Sequence, residues 1–232
     1  MISNDVNVIF AYLEARESNH KKAVRFVSTN QRRRYIMLAN VMKSFVKTYK
    51  DYILYVGDSI VNQVQLFTEE RKRSPKKSFS GDFIVKMIEP RIDNDLRSIS
   101  DEFEMTLRSL TNFKNLLLGY YSLPQLYFEE ESVGEFKETF IEEAEKFAIG
   151  SLNEFGNRFN NKKLMKMTEY MNYDEVLSRI EMSDFEDKKI CAELFCFGKE
   201  KNKIGFLTFD RDFNDFLKKH GKQNNVDLLE VE

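Results

Sequence analysis

A regular spacing of apolar residues between positions 88 and 117 constrains the fold of this chain more than any other feature of its sequence. The apolar residues recur at steps of three and four, as they do along one face of an α-helix. Pro90 suits the first turn of such a helix and Gly119 suits its end. We therefore expect one long helix of roughly 43 Å, packed as a helical hairpin within the chain, with a coiled coil as the alternative. The stripe consists of Ile88, Ile92, Leu96, Ile99, Phe103, Leu107, Leu110, Phe113 and Leu117.

The overall composition also favours helices. Only 9 of the 232 residues are Gly and 3 are Pro, in a chain rich in Lys, Glu, Leu and Phe. This balance leaves little room for the many turns of an all-β fold. Further helices are predicted at residues 6–17, 18–27, 31–50, 133–149 and 160–181, with a loop near Gly57 or at 74–81.

The apolar runs, cysteines and histidines limit which cellular compartment and which metal ligands we expect. No stretch approaches 18 uninterrupted apolar residues, and the first residues lack the regions of a signal peptide. We expect a cytoplasmic protein with no membrane partner. Cys191 and Cys196 lie on a predicted helix with diverging side chains, so no disulfide is expected. His20 and His220 are the only histidines, so a metal would have to be held by oxygen.

Charge is distributed unevenly along the chain. Residues 1–80 hold 15 Lys and Arg against 7 Asp and Glu, although the whole chain carries a net charge of -2. Two basic clusters, at 32–34 and 71–77, could neutralise phosphates, and solvated surface is the alternative for each. The residues predicted to bind nucleic acid are Arg32, Arg33, Arg34, Arg71, Lys72 and Arg73.

Strand and helix alternate in the last sixty residues. A helix is predicted at 185–199, a strand at 204–209, a helix at 212–220 and a strand at 226–231. Strands joined through helices in this way usually pair in parallel, and ligands then gather beyond the carboxyl ends of the strands. Asp210 lies at such an end. Asp187 lies in the first turn of the preceding helix, and both aspartates also suit the ordinary role of helix-capping acids.

Three short motifs each place an aspartate beside apolar residues. "MISNDVNVIF" places Asp5 after a short apolar start, with Asn7 two positions on. "DKKICAEL" begins at Asp187, and "FLTFDRDF", residues 206–213, contains the pattern T-x-D-x-D-F. In this order they resemble the first aspartate, the aspartate-headed helix and the T-x-D-x-D-F ending of PIN-domain nucleases. Together the motifs cover about 70 residues.

The resemblance implies an α/β fold with a PIN-like parallel β-sheet flanked by helices. It implies a nuclease core at 1–50 and 171–232, with residues 51–170 as a long helical insertion in a helix-rich chain. The implied function is endoribonuclease activity on RNA, dependent on Mg²⁺ or Mn²⁺, ions that carboxylate oxygens suit. The implied catalytic residues and metal ligands are Asp5, Asp187 and Asp210, with Asp212 as a further ligand and with Asn7 and Thr208 as orienting groups.

The chain also departs from the family pattern. PIN nucleases normally add an acid, usually Glu, on a helix after the first aspartate, and Asn40 lies where that acid is expected. Asp51, Asp58, Glu102 and Glu104 are alternative sources of a fourth carboxylate. A second hypothesis is therefore a catalytically weak or inactive PIN-like module that binds RNA or a protein. The insertion could also support a homodimer or a protein partner through its apolar stripe.

Overall fold

The chain divides into two compact units in the computed structural model, which describes residues 1–13, 18–72, 79–103, 107–164, 172–201 and 203–231. The first unit comprises Met1–Lys47 and Ile149–Glu232, and the second comprises Thr48–Ala148. The sequence predicted these boundaries at 50 and 171. The second boundary differs because the segment before residue 171 contains a strand, Asn161–Leu164, that belongs to the sheet of the first unit.

The described strands form one parallel sheet in the first unit, which gives this unit an α/β fold. The strand order is β3-β2-β1-β4-β5. In the central pair, Ser3 of β1 lies beside Phe206 of β4, and on the other side Ile2 lies beside Tyr35 of β2. The predicted parallel pairing of the two C-terminal strands is confirmed. The strands are β1 (Ile2–Asn4), β2 (Arg34–Met37), β3 (Asn161–Leu164), β4 (Ile204–Leu207) and β5 (Val226–Leu228).

Helices of the first unit pack their apolar faces around this sheet. Ile36 and Phe206 of the strands are fully buried, together with Ile9, Phe26 and Phe213 of the helices. Burial of apolar area stabilises this arrangement by roughly 25 cal/mol per Å². The helices wholly within this unit are α1 (Val6–Leu13), α2 (His20–Asn30), α8 (Tyr173–Arg179), α9 (Phe185–Lys201) and α10 (Arg211–His220).

The second unit is helical in its described part and has its own core. Ile60, Ile88, Leu110 and Phe136 are among the residues fully buried there. Its helices are α3 (Ala39–Lys72) and α7 (Glu130–Gly156), which both begin or end in the first unit, and α4 (Gly81–Phe103), α5 (Leu107–Leu117) and α6 (Leu123–Phe128).

The apolar stripe of residues 88–117 is divided between two helices that pack against each other, α4 and α5. The Nζ atom of Lys114 lies 3.0 Å from Oε1 of Glu89 and 2.7 Å from Oδ1 of Asp93. In one straight helix, 25 residues of separation would place these groups roughly 37 Å apart. The predicted single helix is therefore wrong, whereas packing within the chain is confirmed. Pro90 lies in the interior of α4, not in its first turn.

The predicted basic helix at 31–50 is also wrong. Residues 34–37 form β2, and the helix begins only at Ala39. Tyr35 and Ile36 are buried in the sheet. The prediction failed because a short apolar run fits a buried strand as well as it fits a buried helix. The helix then continues through Gly57, where a loop was predicted, and the alternative loop at 74–81 falls largely outside the described residues.

The predicted helix at 160–181 is replaced by β3 and α8 on either side of residues that the structure does not describe. The predicted helix at 133–149 is confirmed within α7. Cys191 and Cys196 are buried and free, which confirms the absence of a disulfide between them. In the described part of the chain, no helix combines the length and the apolar character needed to cross a membrane.

Candidate active site

The order of the strands defines where a ligand crevice is expected in the first unit. The chain leaves β1 toward β2 on one side, and it leaves β4 toward β5 on the other side. Right-handed connections send the following helices to opposite faces of the sheet, which opens a crevice beyond the carboxyl ends of the two neighbouring strands. Asp5 follows β1, and residues 208–210 follow β4. Topology therefore brings the first and third predicted motifs to one place.

Asp5 is buried at this edge, with a relative exposure of only 4%. Its Oδ1 atom accepts a hydrogen bond from the backbone N–H of Val6 at 2.7 Å, and its Oδ2 atom accepts one from Thr208 Oγ1 at 2.8 Å. Burial raises the pKa of Asp5 to about 6, assisted by the charges of Asp210 and Asp184 and opposed by both hydrogen bonds. Asp5 is thus a fixed carboxylate that titrates near neutral pH.

Thr208 connects the two motifs. Its hydroxyl donates to Asp5 and accepts hydrogen bonds from Asn7 Nδ2 at 3.3 Å and from the backbone N–H of Asp210 at 3.0 Å. The side-chain oxygen of Asn7 accepts from the backbone N–H of Phe209 at 3.2 Å. The two residues predicted to orient the site therefore bond to each other and hold the β1 and β4 ends together.

Asp210 and Asp212 lie at the beginning of α10. Asp210 is the N-cap of this helix, and its Oδ1 atom accepts a hydrogen bond from the backbone N–H of Phe213 at 2.7 Å. Asp212 is an exposed acid in the first turn. The helix-capping role considered for Asp210 is thus observed. The capping hydrogen bond uses Oδ1 of Asp210 and does not involve Oδ2.

Asp187 is half-buried in the first turn of α9. Burial raises its pKa to about 7, and the nearby aspartates that raise it further are, in decreasing order of effect, Asp5, Asp184, Asp210 and Asp212. Asp187 therefore lies within electrostatic range of the other three aspartates of the predicted site. One pKa unit corresponds to about 1.4 kcal/mol between protonation states, which solvent reduces at a half-exposed group.

Asp184 is a member of this group that the motifs did not identify. Its Oδ1 atom accepts hydrogen bonds from the backbone N–H groups of Glu186 at 2.8 Å and of Asp187 at 2.9 Å. It therefore caps α9 and holds the turn that carries Asp187. The sequence does contain a signal for this cap: Asp184 lies three residues before another acid, Asp187, at the start of a helix, as is typical of a capping arrangement.

Asn40, the residue found where the family has an acid, lies in the first turn of α3. Its Nδ2 atom donates to the backbone oxygen of Lys189 and to the hydroxyl of Tyr173, both at 3.3 Å. Buried Glu193 of α9 accepts from the backbone N–H groups of Ala39 at 2.7 Å and of Asn40 at 2.8 Å. Burial raises the pKa of Glu193. This carboxylate anchors the start of α3, and both of its oxygens are already engaged.

The four alternative sources of a fourth carboxylate either belong to the second unit or lie outside the described residues. Asp51 and Asp58 belong to the second unit. The side chain of Glu102 and the whole of Glu104 lie outside the described residues.

The predicted nucleic-acid-binding residues lie away from this edge of the sheet or outside the first unit. Exposed Arg32, Arg33 and Arg34 lie at the amino end of β2, so the length of the strand separates them from the carboxyl edge. Arg71 belongs to the second unit, and its guanidinium lies 3.9 Å from the ring centre of Phe79. Lys72 ends α3 in the same unit, and Arg73 lies outside the described residues.

Across the described ranges, no group of three or more His, Cys, Asp or Glu side chains could hold a metal ion as placed. Two of the expected ligands, Asp5 and Asp210, have carboxylate oxygens committed to the hydrogen bonds above. Mg²⁺ usually keeps several waters and binds through only one or two carboxylates. A divalent cation at this edge would therefore have to be held largely through water, because these carboxylates offer it few direct oxygen ligands.

Comparison with models of protein families gave no match, and neither did comparison with curated proteins or with solved structures.

Proposed function

We propose that this protein is a PIN-like, metal-dependent endoribonuclease. The observation that carries the proposal is the hydrogen bond from Thr208, which follows β4, to Asp5, which follows β1, because it joins the aspartate-bearing ends of two neighbouring parallel strands. The pKa values of Asp5 and Asp187 are both raised, mainly by burial and further by neighbouring aspartates. Gathering like charges in a partly buried crevice is costly, and a divalent cation offsets that cost. Strongly perturbed carboxylates in a cleft are also more frequent at functional sites than elsewhere.

The proposed metal site consists of Asp5, Asp187 and Asp210, with Asp212 as a further ligand. When bound, Mg²⁺ or Mn²⁺ lowers the pKa of a water molecule and offsets negative charge on the phosphate. Asp5 is held in place by Thr208, and Thr208 is held in turn by Asn7. These hydrogen bonds fix the carboxylate before a ligand arrives, which is the role expected of orienting groups around a metal.

The proposed substrate is RNA, whose phosphates attract the basic residues of the chain. Arg32, Arg33 and Arg34 lie at the opposite edge of the sheet from Asp5. They would therefore contact only RNA that extends beyond the cleavage site, and they contribute to general electrostatic attraction. Arg71 and Lys72 are assigned the same role. We place the protein in the cytoplasm, consistent with its free buried cysteines.

A labelled RNA pool incubated with Mg²⁺, Mn²⁺ or EDTA tests the proposal. We expect metal-dependent cleavage by the parent protein and none by Asp5→Asn or Asp210→Asn. Asn is as good an N-cap as Asp, so Asp210→Asn preserves the start of α10 while removing its charge. Asp82→Asn, an exposed change on α4 in the second unit, is the matched control and should cleave normally.

Binding of Mn²⁺, measured by calorimetry, makes the test independent of the RNA chosen. Undiminished Mn²⁺ binding by both Asp5→Asn and Asp210→Asn would rule out the proposed site. Cleavage that persists in EDTA would rule out the proposed chemistry.

A catalytically weak or inactive PIN-like module that binds RNA or a protein is the second candidate. Asn40 favours it, because its amide is bonded to the backbone of Lys189 and supplies no charge. The second unit carries exposed apolar side chains, including Leu66 and Phe128, that suit a homodimer or a protein partner. This candidate predicts RNA or protein binding that is unaffected by EDTA.

A further inference from the structure

A cavity of about 380 Å³ opens in the first unit at the carboxyl ends of β4 and β5. Thr208 lines it, and the hydroxyl of the same residue bonds to Asp5, so the cavity adjoins the aspartate crevice. Cavities that bind small ligands have volumes of roughly 300 to 1,000 Å³. This cavity therefore has room for a ligand about the size of one nucleotide.

Two lysines from different helices line this cavity, Lys22 of α2 and Lys218 of α10. Glu230, which follows β5, is the acidic residue in the lining. Lys218 lies 3.5 Å from Asp215, but both side chains are more than half exposed, and an exposed ion pair of this kind contributes little. The lysine charges therefore exceed the acidic charge of the lining and remain accessible to an anion.

The position of these lysines contrasts with that of the arginines. Arg32, Arg33 and Arg34 lie at the amino ends of the strands, whereas Lys22 and Lys218 line a cavity at the carboxyl ends, on the same side as Asp5. A polynucleotide bound at the aspartates has to continue past acidic side chains that repel its phosphates. The lysine-lined cavity offers it an adjoining path of opposite charge.

We propose that this cavity holds the nucleotide adjoining the scissile phosphodiester of a single-stranded RNA, with Lys22 and Lys218 contacting its phosphate groups. This inference rests on the proposed function, because it names the strand path of the same site. The leucines of the lining, including Leu229, cover the apolar part of the nucleotide, and the lysines neutralise its phosphates.

The test is binding of a fluorescent hexauridylate to the full chain in EDTA, by anisotropy at several salt concentrations. We expect Lys22→Ala/Lys218→Ala to bind on the order of tenfold more weakly than the parent. The slope of log K against log salt should become shallower by about 1.4, since each single-strand phosphate contact contributes about 0.7. Glu230→Gln should bind more tightly than the parent.

The neighbouring lysines provide a matched control. Lys21 and Lys219 are exposed on the same two helices but do not line the cavity. Lys21→Ala/Lys219→Ala removes the same net charge and should bind hexauridylate almost as the parent does. An equal loss in both double variants would overturn the proposal, because it would reflect net charge alone. Unchanged binding in Lys22→Ala/Lys218→Ala would overturn it too.

Two further results separate this inference from the proposed nuclease activity. A lysine-dependent affinity in a protein that never cleaves RNA would support the cavity and contradict the catalytic proposal. Metal-dependent cleavage with no dependence on Lys22 or Lys218 would support catalysis and overturn the cavity. Competition by hexaglutamate as effective as that by unlabelled hexauridylate would show a general anion surface and would also overturn the inference.

Discussion

Thr208 and Asp5 are joined by a hydrogen bond of 2.8 Å across 203 positions of the sequence. The threonine follows β4 and the aspartate follows β1, which are adjacent strands of the sheet. The Thr208 hydroxyl also accepts hydrogen bonds from Asn7 and from the backbone of Asp210. One buried hydroxyl thus fixes the carboxylate with the raised pKa and the start of the helix that carries Asp210.

Replacing Thr208 with Val should destabilise the protein by about 1 to 3 kcal/mol, because buried polar groups lose their partner at almost unchanged side-chain volume. The pKa of Asp5 should rise above about 6, since the lost hydrogen bond lowers it in the parent. Urea denaturation and NMR titration of the Asp5 carboxyl measure the two effects. Thr208→Ser keeps the hydroxyl and should change both much less. An unchanged Asp5 pKa in Thr208→Val would contradict this account.

The metal-free protein should lose stability as pH rises from about 4 to about 7. The pKa values of Asp5, about 6, and Asp187, about 7, both exceed the ordinary value of 3.8. In that window the folded state retains protons that the unfolded state has released, so unfolding becomes easier as pH increases. Thermal unfolding in EDTA at a series of pH values measures this effect.

The variant Asp187→Asn tests the contribution of one carboxyl to that pH dependence. We expect a flatter profile between pH 5 and 7, and a melting temperature roughly a few degrees above that of the parent at pH 8. Asp82→Asn, on α4 of the second unit, should leave the parent's profile unchanged. A profile for Asp187→Asn as steep as the parent's would show that folding does not raise the pKa of Asp187.

Glu193 should be among the most sensitive positions of the first unit. Its two oxygens accept from the backbone N–H groups of Ala39 and Asn40 while its side chain is buried. Glu193→Ala leaves both donors without a partner and should cost about 2 to 5 kcal/mol. Glu193→Gln keeps one acceptor oxygen and should cost less. Glu200→Ala, an exposed change on the same helix, should cost under about 0.5 kcal/mol in urea denaturation.

Gly57 should resist substitution in the second unit. A Cβ atom at this position would lie 2.7 Å from ring carbons of Phe140, which is buried in the core. Gly57→Ala should therefore destabilise the unit by about 1 to 3 kcal/mol through overpacking. Gly134 lies on α7 with open space where a methyl group would extend, so Gly134→Ala should stabilise by up to about 1 kcal/mol through helix propensity. Denaturation curves that gave both variants the same sign would contradict this packing.

Local patterns were sufficient for several elements. The helix at 185–199 and the strand–helix–strand segment that follows it agree with the structure to within a few residues, because their capping acids and apolar runs act over short distances. The placement of Asp210 at the end of a strand followed from the same local patterns, whereas that of Asp5 followed from the resemblance to PIN-domain nucleases. Asp184 showed the same kind of capping signal, although no motif included it.

Other elements depended on partners far away in the chain. The segment at 34–37 has apolar residues that a helix would accommodate equally well, and its pairing with β1 and β3 selects the strand. The polar sequence Asn161–Leu164 gives no strand signal of its own, and pairing with β2 makes it one. The stripe at 88–117 has helical periodicity in both α4 and α5, so periodicity alone could not show that the chain reverses direction between them. The ion pair between Lys114 and Asp93 shows that the two helices pack against each other.

The sequence by itself determined which residues carry charge, where several of the helices lie and that Asp210 follows a strand. These properties depend on side chains within a few positions of one another. Only the tertiary structure decided that Asp5 accepts a hydrogen bond from Thr208, that Asp187 lies within electrostatic range of both Asp5 and Asp210, and that Glu193 holds the start of α3. The physical reason is that strand order and helix packing set these distances, and both depend on the burial of apolar surface by the whole unit at once.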